Sequence, residues 1–171
     1  MRFHFVKQLD AMQCGVACLA MICKYYKKAY SIETLSKICG VSTEGVSLLA
    51  IKSAAEKLGF HSIYGKASIE QLANISQPCI LHWNQNHFIV LYKVKKQKKF
   101  YIADPGKGLL CYSIKEFKKH WISSVSNGEE KGIVMFLEPA ETFFKANTLD
   151  EQVKKRSFNF LLGYILQYRK Y

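Results

Sequence analysis

The sequence predicts an α+β fold, an N-terminal helical part packed on an antiparallel β-sheet. Two observations carry this. Apolar residues recur at helical spacing through residues 14–58, and short apolar runs separated by turn formers fill residues 60–137. A third bounds the size. The chain has 171 residues, 49% of them hydrophobic, which suits one domain with a real core and excludes disorder for its bulk.

The first helix is expected over 14–28, with Ala17, Met21 and Tyr25 in register and Cys18 and Ile22 beside them. Ser31 is the N-cap of a short second helix from Ile32, with Thr34 at the third position, and Gly40 ends it. Residues 41–46 form a turn. A third helix runs from Ser47 and stops at Gly59. Phe60 to Tyr64 is a short strand, and Ser68 caps a short helix to Ala73. A strand over Pro78–Trp83 follows, then the polar turn Asn84-Gln85-Asn86. His87–Val94 is the strongest strand signal; Lys95 to Lys98 form its turn, and Phe100–Ala103 answers it before Asp104-Pro105-Gly106. Ser113 caps a helix through Trp121, Asn127-Gly128 lies in a loop, and Gly132–Leu137 is a last strand.

Residues 1–138 are therefore expected to form the domain and residues 139–171 a linker with an amphipathic segment. In that tail a charged stretch from Asp150 to Arg156 precedes the apolar run Phe158–Leu166, and Arg169-Lys170 follows. The run is too short to span a bilayer, which takes about 20 residues. Its basic and aromatic flanks fit an interfacial helix. The net charge of +12 favours an anionic partner, with an anionic membrane surface foremost. A basic nucleic-acid-binding module is the weaker alternative, resting on Lys93, Lys95, Lys96, Lys98 and Lys99 interleaved with Tyr92, Phe100 and Tyr101. A lysine-rich hairpin tip is usually a solvated turn, so no nucleic acid is expected.

Six cysteines, Cys14, Cys18, Cys23, Cys39, Cys79 and Cys111, sit largely in apolar runs. Met1 to Asp10 contains no apolar signal core, so a reducing, cytosolic setting is expected. Zinc spacing is missing: there is no Cys-x-x-Cys pair, and no metal or cofactor is expected.

Gln8-Leu9-Asp10-Ala11-Met12-Gln13-Cys14 ends a loop-like lead-in at a cysteine where a helix begins. A thiol there meets unpaired N–H groups and the positive end of the helix dipole, which favour thiolate. Gln8 supplies a candidate oxyanion donor. Cysteine catalysis also needs a base and a group to orient it. His87 opens the best strand just after a polar turn. Pairing of 87–94 with 99–104 brings Asp104 to the same end of the hairpin. The two share a face only for one register parity, which a one-residue bulge would change. Asp104 before Pro105 is alternatively only a turn former. A cysteine followed far downstream by His and Asn or Asp is the papain-type order.

Gln8 and Cys14 with Gly15-Val16-Ala17-Cys18-Leu19-Ala20-Met21, and His87-Phe88-Ile89-Val90-Leu91 with Asp104-Pro105, closely resemble the motifs of the C39 peptidases, over roughly residues 1–138. These are the cytosolic N-terminal domains of bacterial peptidase-containing ABC transporters. The resemblance implies a papain-like cysteine peptidase fold and cleavage of double-glycine leaders from bacteriocin-like precursor peptides before export. It implies Cys14 as nucleophile, His87 as base, Asp104 as its orienter and Gln8 in the oxyanion hole. Where most relatives have an acidic residue before the cysteine, this chain has Gln13. The implied partners are the precursor peptide and the transmembrane and ATP-binding domains of a homodimeric transporter, at the cytoplasmic face of the cell membrane. ATP is expected only in that nucleotide-binding domain, since no Gly-x-x-x-x-Gly-Lys-Ser/Thr motif occurs here. A non-cleaving domain that only docks leaders is the alternative within the same family.

Overall fold

A computed structural model describes residues 3–145. Asp10 starts the helical part. Its Oδ1 accepts the Met12 N–H at 2.8 Å and caps a 3-10 turn, Ala11–Gln13, which runs straight into α1, Cys14–Tyr25. Every residue of α1 from Cys14 to Cys23 is buried, so this helix is apolar all round and is enclosed by the fold. α2, Ile32–Cys39, is capped by Ser31, which accepts the Thr34 N–H, and ends at Gly40 with φ +64°. α3, Leu48–Lys57, is capped by Ser47. α1 stops three residues short of the expected 28. Lys27 turns left-handed, and Lys27 N–H and Lys28 N–H return to Lys24 and Cys23 carbonyls. That is a Schellman closure made without glycine.

The strands are β1, Phe60–Ser68; β2, Cys79–Trp83; β3, His87–Lys95; β4, Lys99–Asp104; β5, Gly108–Ser113; β6, Ile122–Ser126; and β7, Glu129–Pro139. They form one sheet in the order β1-β7-β2-β3-β4-β5, with β6 added on β7, and neighbouring strands pair antiparallel. α4, Ile69–Ala73, and α5, Ile114–Trp121, each start at a serine capping box. Both faces of the sheet are covered. Ile80, Phe88, Val90, Ala103 and Met135 pack with α1, α2 and α3; Leu81, Trp83, Ile89, Phe100 and Ile102 pack with Phe117 and Trp121 of α5. Two covered faces explain why the central strands read as continuous apolar runs rather than alternating ones.

Three features differ from the sequence expectation. β1 continues past Tyr64 to Ser68, through the exposed Gly65 and Lys66, which carry no apolar signal, to the buried Ala67 and Ser68, and is held by pairing along β7. β5 was not expected, because it is an edge strand with every second residue exposed. β6, Ile-Ser-Ser-Val-Ser, lacks an apolar run, yet it pairs with β7 across Asn127-Gly128, whose φ values of 52° and 77° form the hairpin turn this dipeptide favours.

The compact unit also continues past residue 138. α6, Glu141–Lys145, buries Phe143 completely against Phe60, ring centroids 4.4 Å apart. The expected interfacial run Phe158–Leu166 lies outside the described residues. No helix among the described residues is long and apolar enough to cross a membrane.

Gly132 shows how tightly the second core closes. A Cβ there would stand 2.3 Å from the Trp121 ring and 2.6 Å from its carbonyl oxygen. Gly132→Ala is expected to destabilise the fold by about 1–3 kcal/mol through overpacking. Urea unfolding of the pair checks this, and an unchanged midpoint would mean that the ring moves aside freely.

Candidate active site

α1 places Cys14 on its first turn, 6% exposed, above the start of β3. The seat is made by glycine. A Cβ on Gly15 would stand 2.6 Å from both Ile51 of α3 and Val46, so only glycine lets the helix start approach α3 this closely. Cys14 hydrogen-bonds to the His87 side chain and accepts from the Phe88 and Gly15 backbone N–H groups.

His87 opens β3 after a tight turn in which Asn84 and Gln85 both have positive φ. The turn is clamped from α5: Asn84 N–H donates to the His120 carbonyl, the His120 ring lies 2.8 Å from Asn84 Oδ1, and that ring stacks on Trp83. His87 Nε2 lies 2.8 Å from Asp104 Oδ1, which leaves Nδ1 for the thiol. Asp104 is 2% exposed, and its Oδ1 also accepts the Gly106 N–H at 2.9 Å. The Asp104 carbonyl meanwhile accepts the Lys107 N–H, so Asp104 makes its turn and holds His87 together.

The parity question resolves at Tyr92. From Lys95 to Lys93, β3 pairs so that Lys93 faces Tyr101; past an extra residue, Val90 faces Ala103. Continued one residue, the second register sets Ile89 opposite Asp104 and puts His87 and Asp104 on one face. The first register would set Asp104 opposite Val90, on the other face. The bulge at Tyr92 therefore allows the contact. Nothing in the sequence singled out this residue, and the Phe88 N–H and the Gly15 seat were missed as well.

Gln8 comes to the same place. Its N–H donates to the Pro105 carbonyl at 3.1 Å. Its side-chain amide lies beside Gly106, where a Cβ would meet Gln8 Nε2 at 3.7 Å and Asp104 Oδ1 at 3.5 Å. Gln8 Oε1 is buried without a hydrogen-bond partner among the described residues. Gln13, the residue before the cysteine, gives α1 no side-chain cap. His4 and His61 are exposed and stand apart from this cluster, while His82 packs its ring on Phe88 at 5.2 Å.

The charges form a chain. Burial pushes the Cys14 thiol up, but the bond to His87 and the Phe88 N–H outweigh it, and its pKa falls below the usual thiol value. Burial lowers His87, yet Asp104 and Cys14 raise it to about 9. Burial raises Asp104, and His87 with the Gly106 N–H bring it below the usual carboxylate value. The arrangement favours thiolate, imidazolium and carboxylate together.

A helix-borne thiol, an imidazole held from behind by a carboxylate, and helices against an antiparallel sheet define a papain-like cysteine peptidase. The profile of the Peptidase C39 family matches residues 2–127, and the chain belongs to that family. Among curated proteins, the lactococcin-G-processing and transport ATP-binding protein LagD of Lactococcus lactis subsp. lactis is 33% identical over 95% of this chain and 24% of its own length. The colicin V secretion/processing ATP-binding protein CvaB of Escherichia coli is 30% identical over 91% of this chain and 21% of its own. The chain thus spans about a quarter of these relatives or less. Among solved structures, a double glycine motif protease from an AMS/PCAT transporter, in complex with the leader peptide, matches at TM-score 0.71 and 34% identity, over 81% of this chain and 93% of that one. The peptidase domain of Streptococcus ComA, a bi-functional ABC transporter, matches at TM-score 0.68 and 27% identity, over 81% of this chain and all of that one.

The charge chain fixes the sign of the pH dependence. The kcat/KM profile is expected to rise as Cys14 deprotonates, below the usual thiol pKa, and to fall near pH 9 as His87 loses its proton. Asp104 stabilises the imidazolium, so Asp104→Asn moves the alkaline limb to lower pH and reduces turnover by about 10²-fold or more. A limb that stays in place would remove the carboxylate from the pair.

Proposed function

We propose that the chain is a cysteine endopeptidase that cuts precursor peptides after a Gly-Gly leader end. The observation that carries this is the Cys14–His87–Asp104 alignment, with the 2.8 Å bond on the far nitrogen of the imidazole. Cys14 thiolate attacks the carbonyl carbon of the second glycine. Gln8 and the Cys14 N–H stabilise the oxyanion. His87 gives its proton to the leaving amine, and neutral His87 then takes a proton from the water that hydrolyses the thioester. Asp104 keeps the ring oriented and the imidazolium stable throughout. Glycine at the cleaved position fits a narrow approach that excludes side chains, and an amphipathic leader helix fits an apolar groove.

Substrate and setting are inferred from relatives: the double-glycine protease is 34% identical to this chain where they align, and the curated relatives are transport proteins about four to five times the aligned length. In this reading residues 1–138 carry the peptidase, α6 packs against them, and the chain beyond leads toward the membrane part of an ABC transporter. That transporter is a homodimer whose ATP site lies in another domain, and the peptidase faces the cytoplasm beside an anionic membrane surface. The peptidase step itself needs no cofactor.

The test is product mass after incubation with a synthetic precursor peptide containing Gly-Gly. Cleavage after the second glycine is expected, with loss of about 10⁴-fold or more in Cys14→Ala. A wild-type chain that binds the leader and leaves it intact would instead make this a docking domain.

A further inference from the structure

The segment that carries Gln8 is neither helix nor strand, and something must hold it. Residues 3–8 cross the face of the sheet on the α1 side, where Phe3, Phe5 and Val6 pack against the first core while remaining partly exposed. The segment is fixed at two ends. Gln8 N–H binds the Pro105 carbonyl, and the Phe3 ring stacks on Tyr92, centroids 4.5 Å apart and 10° from parallel. Tyr92 is the bulge residue. It is left without a partner on β4, and its ring joins the first core and approaches Tyr101 at 6.4 Å.

Geometry links the two ends. In the register past the bulge, Pro105 falls level with position 88, four residues from Tyr92, or about 13 Å along the strand at 3.3 Å per residue. The five steps from Phe3 to Gln8 reach at most about 18 Å when fully extended. The stack on Tyr92 and the hydrogen bond to Pro105 thus restrain the two ends of one short segment, and losing the first leaves Gln8 held by the second. Besides the stack, the described residues hold the segment by the Gln8–Pro105 backbone hydrogen bond and by the half-buried Phe5 and Val6.

We propose that Tyr92 is a positioning residue for oxyanion stabilisation, acting through Phe3 to hold the Gln8 segment in place. The bulge then does two things. It sets the face on which Asp104 meets His87, and it presents the ring on which the Gln8 segment is fixed. The inference rests on the role proposed above for Gln8.

Two reactions of Cys14 separate this role from general damage. Alkylation by iodoacetamide needs only the thiolate. Acylation by p-nitrophenyl acetate passes through an oxyanion, whichever peptide the enzyme cuts. Both are read at Cys14 by peptide mass, since the exposed Cys111 would react as well. Gln8→Ala is expected to slow acylation about 10²-fold, and Tyr92→Ala and Phe3→Ala about 10-fold each, with alkylation unchanged in all three. Tyr92→Phe keeps the stack and is expected to retain wild-type acylation. The Phe3→Ala/Tyr92→Ala pair should lose no more than either alone. Equal losses of acylation and alkylation in Tyr92→Ala would place its effect on the Cys14–His87 pair and overturn the proposal. So would normal acylation in Tyr92→Ala beside a slow Gln8→Ala. Normal acylation in Gln8→Ala would remove Gln8 from the oxyanion site, and this role of Tyr92 with it.

Discussion

The structure depends on the burial of α1 over its first ten residues. Ten consecutive residues, Cys14 to Cys23, are enclosed between the sheet and the other helices. A helix packed on every side cannot slide or rotate without opening cavities, and large-to-small changes in such cores cost about 2–5 kcal/mol each. Its first turn is therefore held at a fixed height above β3. The Cys14 thiol needs no mobile loop to place it there. The Gly15 seat against Val46 and Ile51 is the local expression of the same constraint.

Burial alone would make that thiol inert, and the chain contains the control. Cys18 lies one turn further along the same helix, fully buried, and its pKa is driven far above the usual thiol value. Burial raises Cys23 and Cys79 as well, and pushes Cys39 up to about 11. Cys14 alone among these five shifts down. The difference is not exposure, since Cys14 is only 6% exposed. It is the set of donors: an imidazolium and two backbone N–H groups aimed at sulfur. Each unit of pKa difference corresponds to about 1.4 kcal/mol, so a few charge-assisted hydrogen bonds suffice to reverse the burial penalty.

Much of this was legible before the structure. Ser31, Ser68 and Ser113 each cap the helix their position announced, and Ser47, expected as the start of the third helix, caps it, because a cap is a local arrangement of side chain and following N–H groups. Gln8, Cys14, His87 and Asp104 stand out in the sequence, and the structure brings all four to one place. What was not legible is non-local. Neither β5 nor β6 has an apolar period of its own, and each exists through its partner strand. The bulge at Tyr92 is likewise a property of two strands together. A tyrosine within an apolar run looks the same in either register, yet the register decides whether Asp104 faces His87.

Asp104 shows why two readings of one residue need not compete. As a turn former it offers its carbonyl to Lys107 N–H, and as an acid it accepts from His87 and from Gly106 N–H on the same oxygen. The turn supplies the Gly106 donor, so the backbone geometry of Asp-Pro-Gly helps orient and ionise the carboxylate. An ionised carboxylate keeps His87 protonated, and protonated His87 keeps Cys14 as thiolate. Pro105 closes the loop from the other side by accepting Gln8 N–H. One tight turn thus fixes the acid directly and the segment bearing the proposed oxyanion donor through a single backbone bond. Geometry at the end of β4 and charge at the start of α1 are consequently parts of one arrangement.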